Sequence, residues 1–469
     1  MMRARWLVLV VAGLLALAAA CGDDGGDAGD GGDAGSETSE LDDFRNEAQG
    51  GETDLDLEEV LELSAADVEA YWTEVFEPAF GVPYEPVSAF TTYTSETDFE
   101  DLGPCFEASS YDDVAGNAFY CPLDHTVVYD VENPPADEFE RFGVFGPAIT
   151  IAHEWGHSLQ PGIAYFEEDS VLIETQADCF SGAWSAHALE EGTELDLPEE
   201  ALELGIASQL LFGDPVGIDP AEEGAHGNGF DRINAFLLGF DGGPDACAQW
   251  SEGNPPPITE IPFLTEEEAG SEGNLPLDET IERVVADLDI YWSGVIEDFG
   301  GDFEAVDGVE GYDADDEDSV PDCEETPDDP DGQVFYCSDD NVIAYDEILF
   351  EVTHEDLGDF AVAELIARAY ASAMQGQLDL SSEGVDASLQ ADCFSGAWAG
   401  SVVFDEHDSG DVGVELSSGD LDEAISGFLA QSEQGAEDFG TLSERTRAYQ
   451  TGFFSEDGAA TCAAVTEDA

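Results

Sequence analysis

The sequence predicts one domain of mixed helix and strand present twice in tandem, with its chemistry in the first copy alone. Three observations carry this reading. Gln176-Ala177-Asp178-Cys179-Phe180-Ser181-Gly182-Ala183-Trp184 recurs without change as Gln390 to Trp398. Ala118-Phe119-Tyr120-Cys121, running to Val128-Tyr129-Asp130, is echoed by Val334-Phe335-Tyr336-Cys337, running to Ala344-Tyr345-Asp346. His153-Glu154-Trp155-Gly156-His157 occurs only in the first half.

From the N-terminus, residues 1–20 combine Arg3 and Arg5 with an apolar run from Trp6 to Leu17 and three alanines before Cys21. This is the pattern of a secretion signal cut before a cysteine, so Cys21 is expected to carry a lipid and anchor a secreted chain to the outer face of the cell membrane. Residues 21–52 are rich in Gly and Asp, cannot bury a core, and read as a solvated tether. Residues 53–250 form the first domain, 251–276 a Pro/Gly/Glu-rich linker and 277–469 the second domain.

Thr126–Asp130 has strand character and is expected at a sheet edge where an extended peptide can pair. The apolar stretch 144–159 is expected to be helical. Two histidines four apart then share one helix face, roughly 6 Å apart along the axis, so both rings can reach one metal while Glu154 faces a water. Residues 354–358 also begin His-Glu, but Gly358 stands where a second ligand is needed. Zinc hydrolases hold the ion with three protein ligands, and the third is expected to be Glu174, on a second helix packed against the first. Asp178, one turn later on that helix, is expected to accept the free N–H of a ligand histidine. His226, in His226-Gly227-Asn228-Gly229, is a candidate donor to a developing oxyanion.

The repeat acts as an internal control. Aligning Gln160 with Gln375 and Gln176 with Gln390 takes one single-residue gap. His153 then faces Arg368, Glu154 faces Ala369, His157 faces Ser372, Glu174 faces Ser388 and His226 faces Phe439. The reactive types are gone while glycines, tryptophans and cysteines persist, so the second copy is expected to fold as a metal-free pseudo-domain. Asp178 persists as Asp392 and Arg232 as Arg445, which is what a structural residue in either place would do.

Apart from Cys21, the cysteines fall four and four in matching places. An even count at repeated spacing in an oxidising compartment reads as a disulfide framework. The repeat suggests Cys105 with Cys121, Cys179 with Cys247, Cys323 with Cys337 and Cys393 with Cys462, although four cysteines admit three pairings per domain. No CxxC pair favours a cysteine zinc site.

The formal net charge is −102, from 111 acidic and 9 basic residues, every one of the nine being arginine. Exposed carboxylates this dense repel one another in dilute buffer, and molar salt shortens the screening length to about 3 Å. A high-salt habitat is therefore expected. Nucleic-acid binding is excluded for want of a basic surface.

Four separated blocks in order, Phe119-Tyr120-Cys121-Pro122, HEWGH with Ser158-Leu159-Gln160, ETQADCFSGAW, and His226-Gly227 followed by Arg232, Gly239-Phe240 and Cys247, resemble the neutral zinc metallopeptidases of bacteria. The resemblance covers about residues 60–250 and only faintly the second half. It implies a zincin-like α+β domain with His153 and His157 as zinc ligands and Glu154 as catalytic base. Ser158 departs from the usual pattern, in which a further histidine follows the motif. The expected activity is hydrolysis of peptide bonds in a peptide or protein substrate by a zinc-activated water, with the second domain binding substrate or a partner. Two other readings stay open: a non-catalytic envelope lipoprotein for interaction or assembly, and a zinc amidase acting on cell-wall or acyl amides.

Overall fold

The computed structural model describes residues 55–464, apart from short stretches of which the longest are 107–109, 166–169, 190–194, 219–223 and 405–408. The leader, Cys21 and the tether lie outside the described residues. The chain divides into two compact units between residues 260 and 261. No helix among the described residues is long and apolar enough to cross a membrane.

In the first unit, α1 (Leu57–Phe80) starts at a capping box between Asp56 and Glu59, which satisfies two otherwise unpaired backbone N–H groups, and ends at Gly81 in the left-handed region. Its buried stripe Val60, Leu61, Val68, Trp72 and Phe76 follows helical spacing. A three-stranded sheet follows, made of β1 (Ala89–Tyr93), β2 (Ala118–Cys121) and β3 (Thr126–Asp130) in the order β1-β3-β2. β3 runs parallel to β1 and antiparallel to β2. Tyr93, Leu102, Phe106, Val114, Phe119 and Val128 form a core cluster closed by the Cys105–Cys121 disulfide.

Thr126–Asp130 is therefore the central strand, and the edge position expected for it belongs to β1 and β2. The physical reason is legible afterwards: Val127, Val128, Tyr129 and Asp130 are all buried, the continuous burial of a strand flanked on both sides.

Helices follow: α2 (Glu138–Phe142), α3 (Phe145–Leu159), α4 (Ser170–Ala188), α5 (Ala201–Leu211) and α6 (Gly229–Ser251), the last kinked at Gly243. α3 and α4 are buried along nearly their whole lengths, so their polar side chains face other protein groups rather than bulk water. α4 and α6 meet through reciprocal glycines. A Cβ at Gly182 would lie 1.9 Å from the Phe236 carbonyl oxygen, and one at Gly239 would lie 1.9 Å from that of Cys179. The Cys179–Cys247 disulfide ties the same two helices together.

The second unit comprises α7 (Glu266–Gly270), α8 (Leu277–Asp298), β4 (Gly308–Tyr312), β5 (Val334–Cys337), β6 (Val342–Asp346), α9 (Glu347–Asp356), α10 (Asp359–Gln377), α11 (Val385–Val403), α12 (Asp420–Phe439), α13 (Leu442–Phe453) and α14 (Ala459–Ala464). Its sheet has the order β4-β6-β5, again with one parallel and one antiparallel pairing. Corresponding hydrogen bonds recur in both units. Trp184 Nε1 donates to Asp67 and Trp398 Nε1 to Asp287. Gln160 Nε2 donates to the Ile173 carbonyl and Gln375 Nε2 to that of Ala387. Cys323–Cys337 and Cys393–Cys462 complete a disulfide set whose four pairings are those suggested by the repeat.

Candidate metal centre

α3 and α4 place the candidate residues face to face. Gly156 makes the approach possible, because a Cβ there would sit 2.9 Å from Ala177 Cα. Trp155, within the motif, points away from the centre and donates from Nε1 to Glu69 on α1 at 3.0 Å, which fixes the rotation of α3.

The His153 and His157 rings meet edge to face, with their Nε2 atoms 3.1 Å apart. Glu174 Oε2 lies 3.1 Å from His153 Nε2 and 3.5 Å from His157 Nε2. Behind them, His153 Nδ1 donates to Asp178 Oδ1 at 2.8 Å, and His157 Nδ1 donates to Gln160 Oε1 at 3.2 Å. With both Nδ1 hydrogens engaged, the neutral rings turn Nε2 lone pairs toward each other and toward a carboxylate oxygen. Three ligand atoms converging in this way offer a place for a cation between them. A tetrahedral zinc site with bonds near 2.05 Å has ligand–ligand edges of about 3.3 Å, which is the separation seen. The donor set therefore fits zinc.

Glu154 is also close, since His153, Glu154 and His157 offer ligand atoms all within 4.8 Å of one another. Glu174 Oε2, by contrast, lies against both Nε2 atoms, which makes it the candidate third ligand. The Glu154 carboxylate instead accepts the backbone N–H of Tyr120 on β2. Burial pushes the Glu154 carboxyl up, partly offset by His157 and His153, so it holds a proton better than an ordinary glutamate. Burial acts the same way on Glu174, but His157, His226 and the hydrogen bonds from His153 and His157 outweigh it and hold that carboxyl well below its usual range.

Asp178 is fully buried and serves three groups. It orients His153, and it accepts from Arg232 Nε and Nη2, both at 2.9 Å, with Gln209 Nε2 at 3.3 Å. His226 stands near enough for its charge to act on Glu174. It is set by Asp214, whose Oδ2 accepts the backbone N–H groups of His226 and Gly227 at 2.7 and 2.8 Å and whose Oδ1 lies 3.4 Å from His226 Nδ1. Sequence reasoning missed Asp214, Gln209 and the holding role of Gln160. Only Gln160 had a signal, its place in the family-like block, and its persistence as Gln375 pointed to packing.

Two buried helices thus bring together two histidines and two carboxylates, a donor set that suits a single metal ion. Residues 7–250 match the family described as "Putative neutral zinc metallopeptidase", and the chain belongs to that family. It is 32% identical over 148 residues to the Escherichia coli K12 protein named "Uncharacterized protein YpfJ", covering 27% of this chain and 52% of that one. It is 27% identical over 160 residues to the Mycobacterium bovis "Uncharacterized protein Mb2605", covering 28% and 55%. The chain thus spans about half the length of the relatives it matches. No solved structure matches it.

Proposed function

We propose that the first unit is a zinc-dependent peptidase, carried by a secreted chain that is lipid-anchored through Cys21, and that the second unit is a tandem copy of the zincin-like fold without metal ligands, available for binding a partner or substrate. The observation that carries the catalytic reading is the convergence of His153 Nε2, His157 Nε2 and Glu174 Oε2 beside a buried Glu154. When bound, zinc supplies a Lewis acid that polarises a carbonyl and brings the pKa of a water down to about 7. Glu154, with its carboxyl raised by burial, takes the proton of the attacking water and returns it to the leaving nitrogen. His226, steered by Asp214, donates to the developing oxyanion. β2 is an edge strand whose Tyr120 N–H is turned into the site, so an extended peptide backbone can lie along it.

The anchor rests on Arg3, Arg5, the apolar run and Cys21, and a high-salt setting rests on the −102 charge without lysine. The deciding experiment compares the parent with Glu154→Gln, purified in molar salt, on a peptide library and on acyl and cell-wall amides. Peptide hydrolysis in the parent, lost in the variant at equal zinc content, is expected. Turnover of amides alone would make the unit an amidase. No turnover with zinc bound would leave a non-catalytic lipoprotein.

A further inference from the structure

In the second unit, the place of the metal centre is filled. Arg368, at the position of His153, donates from Nε to Asp392 Oδ1 at 2.7 Å, the oxygen corresponding to the one that His153 engages on Asp178. Its Nη2 donates to Ser388 Oγ, at the position of Glu174, and Ser388 Oγ in turn donates to the Phe439 carbonyl at 3.2 Å. The guanidinium carbon lies 4.8 Å from the centroid of the Phe439 ring, at the position of His226. One planar cation thus touches the replacements of a metal ligand, of the aspartate behind the ligands and of the candidate oxyanion donor.

We infer that Arg368 is a built-in substitute for a metal ion, a fixed cation that neutralises the centre and lets the second unit fold with no metal at all. Charge economy supports this. The chain has nine basic residues against 111 acidic ones, yet Arg368 and Arg445 both pair with the fully buried Asp392, where Arg445 contributes bonds of 3.0 and 3.1 Å. An aspartate buried among helices needs cationic partners because an unpaired buried charge is strongly disfavoured. In the first unit that duty falls to Arg232 and to a histidine whose other nitrogen faces the metal centre. In the second, guanidinium groups do it alone. A guanidinium stays charged at every accessible pH, makes several directed bonds and stacks on an aromatic face, which a metal-free histidine cannot match. Replacement of Glu174 by serine is the matching change, because the hydroxyl accepts the guanidinium N–H where a metal-binding carboxylate is no longer needed.

The inference uses the repeat register but not the peptidase activity, and its test is thermodynamic. The full mature chain in molar salt is unfolded by calorimetry with and without a chelator, and zinc is counted per chain. One zinc and two transitions are expected, with chelator lowering one transition and leaving the other in place. Arg368→Met should lower the chelator-insensitive transition by roughly 10 °C, with zinc content unchanged. Arg368→Lys, which keeps the charge and loses the fork, should fall between, and it is the variant to read if the Met form shows no second transition. Arg368 variants that leave both transitions in place would overturn the inference, as would a second zinc or a chelator shift of both transitions. Absence of zinc from every form would instead refute the peptidase reading, and the Arg368 variants would still decide the role of the cation.

Discussion

The two units share their framework and differ where one centre is built. Aspartate–arginine clamps, inter-helix glycines, tryptophan-to-aspartate hydrogen bonds and disulfides occur in both. His153, Glu154, His157, Glu174 and His226 give way to Arg368, Ala369, Ser372, Ser388 and Phe439. What persists is what packing demands. Gly396 would bring a Cβ within 2.1 Å of the Tyr449 carbonyl oxygen, and Gly452 within 1.9 Å of that of Cys393, as their counterparts do in the first unit. What is lost is the set of histidines and carboxylates proposed to hold the metal and act on the water. Asp178 belongs to both sets, which explains why its persistence as Asp392 does not argue against a role behind the ligands.

The comparison can be broken most sharply at Glu154. Glu154→Gln is expected to lower kcat about 10²–10⁴-fold with zinc retained, measured by peptide turnover and metal analysis, whereas Ala369→Gln should leave turnover unchanged. Equal loss in both variants would erase the distinction between units. Next in size, Asp178→Asn and Asp392→Asn should each destabilise their own unit by about 3–5 kcal/mol, because each strips a buried arginine of its partner. Only Asp178→Asn should also weaken zinc binding, by about 10–100-fold in a competition titration. The glycines sharpen the shared side: Gly182→Ala and Gly396→Ala should cost similar amounts, about 3 kcal/mol, in denaturant unfolding. A large difference between them would mean that the two helix crossings are not equivalent.

The smallest effect distinguishes the units by pH. Glu138 is buried, accepts from Tyr129 on β3 at 2.5 Å and from Thr150 on α3 at 2.6 Å, and burial pushes its carboxyl up to about 7. The folded state therefore binds this proton more tightly than the unfolded chain. Its contribution is fully present below pH 4.5 and is lost as pH rises toward 7. Glu138→Gln should flatten that slope in the first unit, by no more than roughly 3 kcal/mol across the window, as read from urea midpoints at several pH values. The second unit, with Thr353 at this position in the register, should keep its own profile. An unchanged slope in Glu138→Gln would assign the pH dependence elsewhere.

Much of the centre was legible because its geometry is local. His153 and His157 share a face whatever surrounds them, since four residues make about one helical turn. Glu174 was legible because the repeat replaces it along with the histidines. The β3 position was misread because a five-residue apolar run does not say how many neighbours it has, and only the pairing with both β1 and β2 answers that. Asp214 carried no signal at all. In a chain with 111 acidic residues one more aspartate in a loop is unremarkable until its backbone contacts are seen.

By itself, then, the sequence determined the family, the helix carrying the histidines, the internal repeat and which half lacks the paired histidines, because these depend on identity and on spacing within one element. Only the tertiary structure decided that Glu174 Oε2 meets both Nε2 atoms, that Asp178 serves His153 and Arg232 together, and that Arg368 sits where the metal centre would be. Those contacts join residues 17 to 54 positions apart, and their distances are set by how closely the buried helices approach.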